Sequence, residues 1–115
     1  TMIPQFTKFK NCNRIIFDTD IETGRIINNK KEYVRTCTIG AIANTKSASF
    51  TKATGITTKN IRYHIGSVYS ADAGAEWTLP NQNVETHISG ANIWITNNTG
   101  FNITSGVIEI YFTKK

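Results

Sequence analysis

Three groups of side chains in this chain have types and spacings that chemistry uses. "DTDIE" sets Asp18, Asp20 and Glu22 at alternate positions, so in an extended strand their carboxylates share one face, where they could coordinate calcium or flank a glycosidic bond. The stretch lacks the further ligands and the glycine of an EF-hand loop, and a solvated strand face has the same pattern, so a solvated face is expected. The histidines, His64 and His87, lie in unrelated segments without a G-x-S-x-G elbow or H-E-x-x-H, so neither a triad nor a zinc site has a signature. A lone strand histidine is usually a surface or packing residue. Cys12 and Cys37 lack C-x-x-C spacing and are expected to be free thiols acting as small hydrophobes. No nucleophile with its base, acid-base pair or metal set is complete, so neither catalysis nor a cofactor is expected.

The aromatics are different, because Trp and Tyr offer flat apolar platforms for sugar rings while short polar side chains bind the hydroxyls. The candidate ligand-binding residues are Asp72, Glu76 and Trp77 on the "ADAGAEW" connection, His87 and Asn92 around "THISGAN", and Trp94; loops are where such sites concentrate. In "GANIWITNNTG", Ile93 and Ile95 flank Trp94, so if the isoleucines face the core the indole faces away from it. Three partners for Trp94 stay open: a neighbouring subunit, which outward Trp94 and Tyr111 would both face, a ligand, or its own core. The N-x-[ST] sequons at Asn97 and Asn102 carry no weight, because an Asn- and Thr-rich chain produces them by chance.

The elements that must hold these residues are strands. Apolar residues recur at spacing two rather than three and four, and the wealth of Thr, Ile and Asn favours strands joined by polar turns. Six segments stand out: 13–21; a hairpin over 24–42 turning at Asn28-Asn29; 47–54 with Ala48 and Phe50 on one face; 60–70; 91–96; and 106–114. In 60–70 the alternation assigns Ile61, Tyr63, Ile65, Ser67 and Tyr69 to one face and Arg62, His64 and Val68 to the other. In the last segment Ile108, Ile110 and Phe112 oppose Val107, Glu109, Tyr111 and Thr113. "ADAGAE" at 71–76 and "NNTGFNITSG" at 97–106 read as polar connections. The expected class is all-β, a small antiparallel sandwich or barrel. A chain of 115 residues makes one core, and 18% charged residues with 2 Pro and 8 Gly exclude disordered, collagen-like and coiled-coil classes.

Net charge is +5 and the pI about 9.4, yet the 13 Lys and Arg are spread from Lys8 to Lys115 without a basic stripe, so nucleic acid is not the expected partner. A diffuse positive field also favours anionic wall polymers or membrane surfaces. No window reaches the roughly 18 apolar residues of a membrane helix, and "TMIPQFTKFK" lacks the apolar stretch of a secretory signal, so membrane insertion is not expected.

The order "TGRIINNKKEYVRTCTIGAIANTKSASFTKATGI", then "LP", "ANIWITNNTG" and "GVIEIYFTK" resembles the C-terminal receptor-binding domain of phage tail-fibre and baseplate proteins, found also in phage-like bacteriocins. The family pattern runs Thr-Gly, a hairpin with Gly-Lys, "Y.K....G.LPN", "HGI", an "LP" pair, an "ITI.TG" strand and a terminal "YTK". Here Thr23-Gly24 opens it, Asn29-Lys30 replaces Gly-Lys, Tyr33 and Arg35 fill "Y.K", and Gly40, Ile42, Ala43 and Asn44 fill "G.LPN" without the proline. Thr54-Gly55-Ile56 stands where "HGI" is common, Leu79-Pro80 and Thr99-Gly100 match, and Phe112 precedes the closing Thr113-Lys114 in the usual tyrosine's place. The resemblance covers residues 23–115 and implies a homotrimeric head on a virion tail, assembled in the host cytoplasm beside other tail or baseplate proteins. Such a head presents a non-catalytic binding surface to bacterial cell-wall saccharide. Residues 1–22 would then be a strand or connection to a shaft. Trp94 stands where the pattern has a small β-former, as expected of a residue that tunes an interface or a ligand site. Its first expected partner is another copy of the chain, and its second a saccharide.

Overall fold

The structure, a computed structural model, describes residues 16–45 and 49–114. Among the described residues eight strands form two antiparallel sheets: β1 (Asp20–Ile27), β2 (Lys30–Ile39), β3 (Ser49–Ala53), β4 (Ile61–Ser70), β5 (Ala75–Leu79), β6 (Val84–Ser89), β7 (Asn92–Asn97) and β8 (Ser105–Lys114). The large sheet has the order β1-β2-β8-β4-β5 and the small sheet β3-β7-β6. The result is a small all-β sandwich.

Turn chemistry sets the hairpins. Asn28 and Asn29 connect β1 to β2 with φ of 50° and 65°, a mirror-image turn that asparagine tolerates and whose twist matches the strands. Gly90 and Ala91, with φ of 56° and 63°, do the same between β6 and β7. Ile108, Ile110 and Phe112 of β8 and Cys37 and Ile39 of β2 supply one inner face, and Val84, Ile93 and Ile95 supply the other; all are buried. Ile42, Ile56, Leu79 and Ile103 complete the core, with Trp77, Phe50 and Ile61 packed against it. Asn97 closes one end: its buried amide donates to the carbonyls of Ile42, Ala43 and Phe101.

The readings of three segments change here, at 13–21, 60–70 and 71–76. The alternation expected over 60–70 is broken by a bulge between Ile61 and Tyr63, so Ile61 packs on the core while Arg62 reaches Glu32, the reverse of a regular strand. The 71–76 connection ends early, because Ala75 and Glu76 already belong to β5. The 47–54 segment is described from Ser49, so Ala48 lies outside the described residues. The first segment is described from Ile16; Phe17 makes an isolated bridge to Thr36 and the strand proper starts at Asp20, so a boundary at 22/23 falls inside β1. Cys37 is buried and unpaired, and burial raises its thiol pKa; Cys12 lies outside the described residues.

His64 sits on the inner side of β4 opposite Ile110, and its Nε2 is buried without a hydrogen-bond partner. Desolvation lowers its pKa, so the folded state holds it neutral while the unfolded chain takes up a proton near the ordinary value of 6.5. Its contribution is complete above that value and is lost as the pH falls below it. The urea midpoint should therefore drop between pH 7.5 and 5.5 in the wild type and stay nearly level in His64→Leu; parallel drops in both would refute this assignment.

Candidate functional site

The carboxylates of "DTDIE" are taken up by cations. Asp18 pairs with Lys52 at 2.9 Å, Asp20 with Arg35 at 2.6 Å and Lys114 at 3.0 Å, and Glu22 with Lys31 at 3.1 Å. The Arg35 hydrogen bond lowers the Asp20 pKa despite partial burial. Among the described residues no His, Cys, Asp or Glu group is placed to hold a metal ion. The two histidines are separated: His64 faces inward on the large sheet, whereas His87 is exposed on the small one.

The six candidate binding residues fall into three places. Trp77 lies on β5 and packs against the core, which corrects its placement on a connection: opposite the buried Val68, its side chain faces inward. Glu76 is the next residue and is exposed on the other side, opposite Tyr69. Asp72 is exposed in the β4–β5 turn, where its carboxylate accepts from Asn102 Nδ2 at 3.0 Å and holds that turn to the β7–β8 loop.

His87, Asn92 and Trp94 come together on the outer face of the small sheet. Ile93 and Ile95 are fully buried while Trp94 is 41% exposed, so the alternation holds. Trp94 is on the central strand, with Thr51 opposite it on β3 and His87 opposite it on β6. Asn92 and Thr96, two residues to either side, share its face. Among the described residues the indole is thus the one flat aromatic surface on this face, ringed by two hydroxyls, an imidazole and an amide. Thr51 could not be assigned to this group from the sequence, because only the register of β3 against β7 brings it there.

The outer face of the large sheet is chemically unlike this one. Val34, Val107 and Tyr111 are half-buried on it, and Ile65, Tyr69, Tyr63 and Ile21 are 50%, 47%, 41% and 40% exposed. Tyr63 and Tyr111 stack with centroids 4.4 Å apart and planes at 11°. Beside them Glu32 is 0% exposed, covered by Arg25 Nε at 2.5 Å, Arg62 Nη1 at 2.5 Å and the Thr23 hydroxyl at 2.7 Å. Burial alone would raise the Glu32 pKa, but these three donors together outweigh it and hold the carboxyl below its ordinary value. Arg25 also donates to Tyr63 Oη at 3.2 Å and lies over the Tyr111 ring at 5.6 Å. Burial, with the Tyr111 hydroxyl donating to Glu109, pushes the Tyr111 pKa up to about 12. An open depression of about 390 Å³ lies at the far end of this face, lined by Thr38, Ser67, Tyr69, Ser105 and Val107 among others. Nothing in the sequence marks the network around Glu32, since the bulge at Ile61 is what delivers Arg62 to it.

Trp94 and Tyr111 therefore belong to opposite outer faces of the sandwich and do not share one surface. No family model, curated protein or solved structure matches the chain.

Proposed function

We propose that this chain is the receptor-binding head of a phage or phage-like tail, a non-catalytic module that works as a trimer and recognises host surface saccharide through the outer face of its small sheet. The observation that carries the reading is the exposed Trp94 indole set among Thr51, His87, Asn92 and Thr96, because an isolated aromatic surrounded by short polar groups suits a sugar ring better than a protein core. The resemblance of residues 23–115 to tail-fibre and baseplate heads supports the biological setting. Several copies of a weak site on one particle give useful avidity without a deep pocket.

A structural reading, in which the chain only joins or caps subunits of a tail, is favoured by the apolar outer face of the large sheet. The two separate in a fluorescence titration with cell-wall polysaccharide from a candidate host. In a Trp77→Phe variant the only indole is Trp94, and saccharide should shift and quench its emission. Trp94→Ala should weaken binding about tenfold or more, the scale of one lost stacking contact. An unchanged Trp94 spectrum across host polysaccharides would leave the structural reading.

A further inference from the structure

The outer face of the large sheet is built for a partner that the small-sheet site does not need. Ile65, Tyr69 and Tyr63 stand exposed along β4, with Ile21 beyond them on β1. Soluble monomers rarely expose a continuous apolar sheet face, and such faces mark association surfaces. Five strands side by side, three of ten residues, one of eight and one of five, make a face of about 700 Å², close to the roughly 800 Å² that each partner buries in a stable interface. Its aromatic part is already rigid: the Tyr63–Tyr111 stack and the guanidiniums held on Glu32 lose little freedom when covered.

Charge on this face is polarised along β4. At one end Arg25 and Arg62 share a single carboxylate, Glu32, leaving an excess positive charge, and Glu109, mid-face opposite Ile65 and accepting from the Tyr111 hydroxyl, begins the negative side. At the other end Glu76 is exposed beside Tyr69, and among the described residues no cation pairs with it. Two faces laid with their β4 strands in the same direction would set guanidinium against guanidinium. Laid in opposite directions, or head to tail around a closed ring, each would place its arginine end on the other's Glu76 end, satisfying both.

We infer that this face binds a second copy of the same chain, with the Arg25–Arg62 end of one face against the Glu76 end of the next, and with the partner's aliphatic and aromatic side chains seated in the depression beside Tyr69. The inference rests on the proposed self-associating head and leaves the Trp94 face free for saccharide. The head-to-tail ring of three is the arrangement that fits the proposed trimer; a two-fold pair on this face would keep the interface and overturn the trimer.

The test is sedimentation equilibrium of the full chain at micromolar concentration. The wild type should sediment as an oligomer and Ile65→Lys as a monomer with unchanged far-ultraviolet circular dichroism, since Ile65 is a surface residue. Glu76→Lys should weaken association about tenfold, and 1 M salt should narrow that gap because surface charge is screened. Trp94→Ala should leave the mass unaltered. An oligomer that survives Ile65→Lys and is lost in Trp94→Ala would overturn this face while preserving self-association. A monomeric wild type would overturn both. A wild type that assembles but whose Trp94 emission does not respond to saccharide would refute only the small-sheet site.

Discussion

Replacing Glu32 with alanine should destabilise the fold by about 3 kcal/mol, read as a shift in the denaturant midpoint. Removing one partner of a buried charge cluster costs about 3–5 kcal/mol because the remaining charges keep their desolvation without their attraction. The lower end applies here, since the Arg25 and Arg62 side chains are 51% and 36% exposed and water screens what they lose. Glu32→Gln keeps the volume and should still lose most of this, because an amide cannot satisfy two guanidiniums as a carboxylate does. Replacing Arg25, Glu32 and Arg62 together by apolar residues of similar size should recover much of the loss, since the desolvated charges leave with their partners. The acid limb provides an independent check. Glu32 has a depressed pKa in the fold, so its contribution is present above the ordinary carboxylate value of 4.5 and disappears as the pH falls through the folded value. The wild type should lose stability over that range more steeply than Glu32→Gln, and equal slopes would remove Glu32 from the account.

The other large effect is expected at Gly66, in the middle of β4, which pairs with Ile108 on one side and Leu79 on the other. A Cβ there would lie 2.9 Å from the Ile108 Cα and closer still to the Val107 carbonyl oxygen. Both are backbone atoms of β8, so no rotamer change relieves the overlap, and the two central strands of the large sheet must separate. Gly66→Ala should cost about 3 kcal/mol, the upper part of the overpacking range, and Gly66→Val should yield little folded protein. Gly74→Ala provides the contrast: with φ of 62° and nothing within 4 Å of an added Cβ, it meets only the left-handed backbone penalty of about 1 kcal/mol. Equal melting losses at the two glycines would refute a tight β4–β8 contact.

Much of the fold was legible because strand alternation is a local property. The faces of β7 and β8 read correctly residue by residue, and Asn28-Asn29 marked its hairpin through the positive φ that asparagine accepts. β5 and β6 were not read as strands. "AEWTL" does alternate, but over only five residues between a turn-like "ADAG" and Pro80, and in "VETHIS" Thr86 interrupts the apolar side between Val84 and Ile88, so neither run is long enough to stand out. Trp77 was misplaced for this reason, because without β5 nothing assigned its side to the core. In β4 the alternation was strong but interrupted, and a bulge leaves no mark in a run such as "NIRYH".

The candidate site divides along the same line. The sequence alone determined that Trp94 faces away from Ile93 and Ile95, because residues one apart on a strand point to opposite sides whatever the sheet does. It also determined the all-β class and a single core, which follow from periodicity and length. Only the tertiary structure decided what surrounds Trp94 and what does not. Strand register brings Thr51 and His87 to it and sends Tyr111 to the opposite face. Register likewise places Arg25, Arg62 and Glu32 in contact across 37 residues of chain. Pairing between distant strands is fixed by the packing of the whole core, so no local stretch of sequence carries it.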